Sequence, residues 1–418
     1  MPDVIPNIVS PQDITAAAQA LRRQALETPA SALDVIELLE RWGNALAGPR
    51  FDAIPGVAFL RLWLRRGTLE PIVTRELGPG ALHGDWWEER SARLRSFPVG
   101  VVGHWPAANV EIQPLLSLSC ALLGGNACLV RIPTGLVAQS RAIIERLLEV
   151  DVEGRLSKRI FFASFDHDRA DLQRAMASAV DGAMIWGGEE AVTQIRSLPF
   201  PHWARIAIYG PRLSAAAMDA RTWSQGDDRA TWCQRLARDV WQFDQQACSS
   251  PQVLYLERSA DGSVAEFVEI LAEAFRTENR VHPRLDIEPA LSSAICLSRA
   301  TWLLGDEAHR AVFSPGTDWT ILVGAGSQIP VPTQGRTLSV LIVDSLLEPI
   351  EKFDGMVQTL GLAISDNARE AELACAAGRH GVDRIVKLGR MHVFGSPWDG
   401  MDMVRPMVRL IRHIPSGD

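Results

Sequence analysis

Residues 243–252 read Phe-Asp-Gln-Gln-Ala-Cys-Ser-Ser-Pro-Gln and run straight into the apolar stretch Val253-Leu254-Tyr255-Leu256. One thiol, Cys248, is thereby set among small and polar residues just ahead of a strand, which is how a nucleophile is presented to a cleft. A thiol reacts as thiolate, and a turn rich in backbone N–H groups both favours that form and offers donors to an oxyanion. Cys248 is therefore a candidate covalent catalyst, with a small buried residue as the bland alternative. Ser249 and Ser250 either donate to the same oxyanion or only shape the turn.

A second pattern is Trp186-Gly187-Gly188-Glu189-Glu190, two glycines between an apolar run and a helix. Free N–H groups there can face a pyrophosphate, or the motif is a tight strand-to-helix turn whose acids suit the helix dipole. No Gly-x-Gly-x-x-Gly occurs, so the usual dinucleotide fingerprint is absent. His104 and Trp105, at the end of an apolar run, either line a nicotinamide or acyl pocket or pack in the core. His167 stands between Asp166 and Asp168, but no second ligand pair lies at helical spacing, so a solvated turn and no metal are expected.

The elements that must position these residues come in two textures. Up to about residue 96 the pattern is helical: Ser10 and Ser31 are N-cap hydroxyls with Asp13 and Asp34 three residues on, and an amphipathic helix is expected from Val57 to Leu69. From Phe97 short β-rich runs alternate with helices: Val99–Gly103, Cys128–Ile132, Ile160–Ala163, Gly182–Trp186 and Arg205–Tyr209. Repeated βαβ units predict an α/β fold with a parallel, doubly wound sheet.

The 418 residues, 47% hydrophobic and 22% charged, suffice for two or three packed domains. A net charge of −8 and the lack of basic runs exclude a general nucleic-acid footprint. Six cysteines without framework spacing point to reduced thiols in a cytoplasm, and no stretch is apolar for the ~20 residues of a membrane span.

The order of motifs resembles the aldehyde dehydrogenase superfamily, and more closely its LuxC-type acyl-CoA reductase branch. The residues that carry the likeness are Phe97-Pro98-Val99-Gly100-Val101-Val102-Gly103-His104-Trp105, Asn109, Leu123-Gly124-Gly125-Asn126, Trp186-Gly187-Gly188 and the Cys248 motif. Further matches are Tyr209–Ser214, Gln358–Gly361, Gly381–Val386 and Trp398-Asp399-Gly400, so the likeness spans roughly Leu69 to Arg409.

The resemblance implies two doubly wound α/β domains with a helical N-terminal region and a small oligomerisation element. It places the nicotinamide-cofactor domain with that helical region at 1–228, the catalytic domain at 229–405, entered by a helix from Asp227 to Trp241, and a tail at 406–418. In that tail Val408-Arg409-Leu410-Ile411 is a possible edge strand, through which a homo-oligomer is implied. Asn109 falls where the superfamily keeps an oxyanion-hole amide; its alternative is to cap the helix of Val110–Leu123. Aldehyde-oxidising members carry a water-activating glutamate where this chain has Ala207-Ile208-Tyr209-Gly210-Pro211-Arg212, which suits thioester reduction rather than hydrolysis. Arg131 and Thr134 replace the lysine and glutamate of NAD-using relatives, so NADPH is the implied cofactor, with Trp105, Trp186, Gly187 and Gly188 as further contacts. The expected activity is reduction of a fatty acyl thioester, acyl-CoA or acyl-carrier, to the aldehyde. The alternative is a non-catalytic or acyl-transfer subunit beside a partner acyltransferase or acyl-protein synthetase.

Overall fold

A computed structural model of the chain describes residues 3–27, 29–225 and 228–415. The chain opens with α1 (Pro11–Glu27), α2 (Ala32–Ala45), α3 (Pro49–Asp52), α4 (Val57–Trp63) and α5 (Arg66–Leu77), followed by β1 (Trp87–Glu89), β2 (Ala92–Pro98) and β3 (Val101–Trp105). It continues with α6 (Gln113–Leu123), β4 (Ala127–Ile132), α7 (Val137–Val150), β5 (Ile160–Ser164), α8 (Ala170–Ala179), β6 (Gly182–Trp186), α9 (Glu189–Arg196) and β7 (Arg205–Tyr209). Then come β8 (Leu213–Met218), α10 (Ala220–Ser224), α11 (Arg229–Trp241), β9 (Pro251–Glu257), α12 (Val264–Val281), α13 (Pro289–Gly305), β10 (Arg310–Phe313), β11 (Thr320–Ala325) and β12 (Thr337–Val343). Last are α14 (Leu347–Ile350), β13 (Val357–Ala363), α15 (Asn367–Arg379), β14 (Arg384–Lys387) and β15 (Val408–His413).

These elements form two compact units. One takes the chain up to Pro211 and again from Phe394; the other runs from Arg212 to Val393. The unit boundaries thus fall at 211/212 and 393/394, where the sequence reading places domain boundaries at 228/229 and 405/406. The reason is local: β8, with the small apolar run Ser214-Ala215-Ala216-Ala217-Met218, pairs with β9 and β13 and so joins the second sheet. Asp227, the expected helix start, lies outside the described residues, and α11 begins at Arg229.

In the first unit a parallel sheet has the order β5-β4-β3-β6-β7. The chain winds outward from β3 to β5, then returns to the other side of β3, so the switch point lies between the ends of β3 and β6. Buried Val101, Leu129, Ala183 and Ile185 from its strands pack with Leu172 and Met176 of α8 and Ile14 and Leu21 of α1. A smaller antiparallel sheet, β1-β2-β15, has β15 at its edge, paired to β2 from Val408↔Pro98 to His413↔Arg93. The second unit holds seven strands in the order β10-β11-β12-β9-β8-β13-β14, parallel except for β10. Alternate residues of its central strands feed two cores: Ala216, Leu254 and Val340 one, Ala215, Val253 and Leu341 the other. A sheet buried on both faces reads as continuous apolar runs, and of these strands the run Val253-Leu254-Tyr255-Leu256 of β9 is the one the sequence reading names.

Two local expectations change. The helix expected over 57–69 is broken: Arg65 is extended, with φ −69° and ψ 139°, and the Arg66 N–H starts α5 by donating to the Glu40 carboxylate at 3.0 Å. The strand expected at 99–103 is β3, two residues later. There Asn126 Oδ1 takes the N–H groups of Val99 and Gly100 at 3.0 and 3.2 Å, and Gly100 has φ +137°, so ladder pairing begins only at Val101. The residues before it belong to the small sheet. By contrast Ser31 and Asp34 do form a reciprocal capping box on α2.

Candidate active site

Cys248 lies on the turn that enters β9, the central strand of the second sheet. The turn is closed by the Ser250 N–H donating to the Ala247 carbonyl at 2.9 Å, and the Cys248 carbonyl accepts the Ser214 hydroxyl at 2.6 Å. The side chain is half-buried. Among the six thiols Cys120, Cys128 and Cys233 are fully enclosed, and burial pushes each thiol up, Cys233 to about 12, which keeps them protonated and inert. Cys296 and Cys375 are exposed on helices. Cys248 is the one that is neither sealed in nor fully open.

The segment before it is strained. Phe243, Asp244 and Gln245 have φ of 54°, 52° and 62°, three consecutive left-handed residues with side chains, each costing about 1–2 kcal/mol. The left-handed run is over-determined by its partners. Gln245 donates to the carbonyls of Pro251 and Thr337 at 2.8 and 2.9 Å and accepts from the Thr337 N–H at 2.6 Å. Asp244 pairs with Arg284 at 2.9 Å and with Arg336 at 2.6 Å, both guanidinium groups being almost wholly buried. Arg336 itself ends a second left-handed run, Gln334, Gly335 and Arg336, with φ of 64°, 59° and 62°. Apart from Gly335, neither run is marked in the sequence, because phenylalanine, glutamine and arginine do not announce a positive φ.

On the downstream side Ser249 Oγ lies 2.9 Å from His392 Nδ1, and His392 Nε2 lies 2.7 Å from the Asp239 carbonyl oxygen. A carbonyl only accepts, so Nε2 carries the ring proton and Nδ1 accepts the Ser249 hydroxyl. Ser249 is thus committed to His392 instead of to an oxyanion. Burial lowers His392 to about 4, keeping the ring neutral. The Asp239 carboxyl, pushed up by burial to about 7, accepts the Gly389 N–H at 2.6 Å and so ties the His392 loop to α11. Ser250 Oγ is buried without a hydrogen-bond partner among the described residues. His392, Asp239 and Ser214 were not singled out in the sequence; only the fold brings residues so far apart to the cysteine turn.

The remaining candidates belong to the first unit. Asn109 is exposed on the loop between β3 and α6. It does not cap α6, whose N-cap position is Ile112 with no side-chain bond. Gly187 and Gly188 follow β6 at the switch point, and Gly188 is the N-cap of α9. A Cβ on Gly188 would meet open space, whereas one on Gly187 would lie 3.3 Å from the Ala191 Cβ. Trp186 stacks on Tyr209 with centroids 3.9 Å apart, and its ring N–H donates to Ser117 at 3.0 Å. Arg131 leaves β4 with its guanidinium over the Phe165 ring at 5.3 Å and its Nε donating to the Phe165 carbonyl at 3.3 Å, and Thr134 is exposed just beyond. For Trp105 the structure gives the packing alternative: it is fully buried, its ring N–H donates to Gln173 at 2.7 Å and its ring meets Phe200 in the core. His104 is equally buried, bonded to Ser117 at 2.8 Å. Trp398 packs on Phe394, and Asp399 and Gly400, both at positive φ, form a tight turn closed by mutual Trp398–Met401 bonds of 2.9 Å.

The fold has close counterparts among solved structures. An NADP-dependent enzyme of E. coli superposes with a TM-score of 0.74 at 15% identity, covering 97% of this chain and 90% of that one. An aldehyde dehydrogenase of Brucella melitensis biovar abortus 2308 gives 0.72 at 15% identity, covering 99% and 91%. At such identity the likeness is one of fold, and the fold is aldehyde dehydrogenase-like. In sequence, the long-chain acyl-protein thioester reductase of Vibrio harveyi is 25% identical over 353 residues, 84% of this chain and 71% of that protein. The model of the LuxC acyl-CoA reductases matches residues 20–411, nearly the whole length, and the chain belongs to that family.

Proposed function

We propose that this protein reduces a fatty acyl thioester to the aldehyde, with Cys248 as the acyl acceptor and NADPH as the reductant. The observation that carries the reading is the Cys248 turn: a half-buried thiol, held on both sides by side-chain bonds, in a family of acyl thioester reductases. The Cys248 thiolate attacks the acyl carbonyl, forming the S–C bond, and the carrier thiol leaves. The oxyanion of each tetrahedral state is assigned to the Cys248 N–H and, on the family resemblance, to the Asn109 amide, a donor typically worth ~3 kcal/mol. When bound, the nicotinamide supplies the hydride that brings the acyl carbon to the aldehyde level. The resulting thiohemiacetal on Cys248 collapses, releasing aldehyde and restoring the thiolate. No carboxylate stands in 207–212, the stretch where hydrolytic relatives keep their base, so the acyl-cysteine is left to reduction or to another thiol.

The residues present fit the cofactor. Gly187 and Gly188 leave backbone open at a switch point, and Trp186 closes the end of β6 beside them. The hydrogen bond of Arg131 to Phe165 uses Nε, so its terminal nitrogens are proposed to meet a 2′-phosphate, with the Thr134 hydroxyl beyond. For the carrier, the Vibrio harveyi relative is named for an acyl-protein thioester, so an acylated protein, whether a carrier, an acyltransferase or an acyl-protein synthetase, is proposed as donor alongside acyl-CoA. A homo-oligomer through β15 is proposed with it, on the exposure of Leu410 and Ile411 at a sheet edge.

The test is intact-protein mass after mixing with a panel of acyl-CoAs and acylated carrier protein, then after NADPH. An acyl increment that Cys248→Ala removes, and that NADPH discharges as aldehyde appears, is the expected result and names the chain length. No increment with any donor would turn the assignment to a non-catalytic subunit.

A further inference from the structure

We infer that His392 is a positioning residue for Cys248, acting through the Ser249 hydroxyl as a hydrogen-bond acceptor fixed in one tautomer. The inference rests on Cys248 being the acyl acceptor. The chain of bonds is short: Asp239 carbonyl, His392 Nε2–H at 2.7 Å, His392 Nδ1, Ser249 Oγ–H at 2.9 Å. Both ring nitrogens are used, so the ring has no lone pair to spare for the thiol proton, and its work is to hold Ser249. Its own place is set from three sides. Asp239 takes the N–H groups of Gly389 and Met391 at 2.6 and 3.4 Å, the Phe243 ring meets the imidazole edge-on with centroids 5.5 Å apart, and Arg384 donates to the carbonyls of Met391 and Val393 at 3.0 Å each.

The Cys248–Ser249 peptide is therefore pinned at both ends, by Ser214 on the Cys248 carbonyl and by His392 on the Ser249 side chain. Pinning matters here because the chain arrives from the left-handed run 243–245, a conformation that relaxes unless its neighbours forbid it. If the Ser249 bond is lost, the turn is free to shift, and with it both Sγ and the Cys248 N–H to which the oxyanion is assigned. A misplacement of about 1 Å at a reacting atom costs on the order of a hundredfold in rate.

The experiment measures two rates on His392→Leu, His392→Asn and Ser249→Ala: acylation of Cys248 by acyl-CoA, and alkylation of Cys248 by iodoacetamide across pH. Asparagine places an acceptor near the Nδ1 position, and Ser249→Ala removes the donor with almost no change of volume. Expected are acylation about 10- to 100-fold slower in His392→Leu and Ser249→Ala, recovery of most of that loss in His392→Asn, and no added loss when His392→Leu is combined with Ser249→Ala. The midpoint of the alkylation pH profile should stay where it is while its plateau changes. A moved midpoint would overturn positioning in favour of proton transfer, and wild-type rates of both reactions in Ser249→Ala would overturn it outright. Alkylation needs no acyl donor. An unreactive wild type toward every acyl thioester would thus count against the proposed reaction, while altered alkylation in Ser249→Ala would still support the positioning role.

Discussion

His104 shows what burial does to a single titratable group. Its ring is fully enclosed in the first unit, Nε2 has no hydrogen-bond partner among the described residues, and burial lowers it to about 3. The folded state therefore holds it neutral, while the unfolded chain protonates it below about 6.5. Between those values the unfolded state binds more protons, so stability falls as pH falls, by ~2 kcal/mol at pH 5 from this residue. His392 adds a loss of the same sign below 6.5, whereas Asp239, raised to about 7, works the other way, its contribution fading as pH rises through 7. In urea unfolding at pH 7.5 and pH 5, His104→Gln should lose less on acidification than the parent chain; equal losses would show that the histidine is not held neutral. Arg131 is the residue to test for cofactor choice: Arg131→Glu should weaken NADPH at least tenfold more than NADH in fluorescence titration, and an unchanged ratio would place 2′-phosphate recognition elsewhere.

At the scale of elements, the left-handed run ahead of Cys248 is the feature whose removal should be felt most. Asp244→Asn would leave the Arg284 and Arg336 guanidinium groups, each under a tenth exposed, without the carboxylate that pairs with both. A loss of ~3 kcal/mol is expected in urea unfolding, with Cys248 alkylation altered alongside. This feature also marks how far the sequence could be read. Strands β4 to β7, β9, the capping box at Ser31 and the turn bearing Cys248 were legible because apolar period, cap chemistry and small residues each leave a local trace. What was not legible depends on residues far apart in the chain. Glu40 decides that α4 and α5 are two helices, Gln173 and Phe200 decide that Trp105 is core, and His392 reaches Ser249 across 143 positions and Asp239 across 153.

For the whole molecule, the small sheet carries the proposed assembly. Leu410 and Ile411 point outward from β15, and Ile414 beyond it is more than half exposed. Ile411→Lys should reduce the mass seen by light scattering to that of one chain if β15 joins copies; an unchanged mass would move the interface elsewhere. The same strand is held to its own unit by buried polar anchors. Glu76, almost wholly enclosed on α5, accepts the N–H groups of Met403, Val404 and Arg405 at 3.3, 2.7 and 2.9 Å, and Asn126 donates to the Met407 carbonyl at 3.0 Å. Glu76→Gln should lower the thermal midpoint of unfolding by several degrees, because at least one of these donors then loses a charged acceptor.

Those anchors dictate an order of events during synthesis. The first unit needs residues from 394 onward, yet everything from Arg212 to Val393 is made in between and forms a unit of its own. On the ribosome, the unit begun first is finished last. Until 403–413 emerge, a nascent chain carries a β2 strand with one side unpaired and a carboxylate with no backbone to bind, which is the state a chaperone would meet.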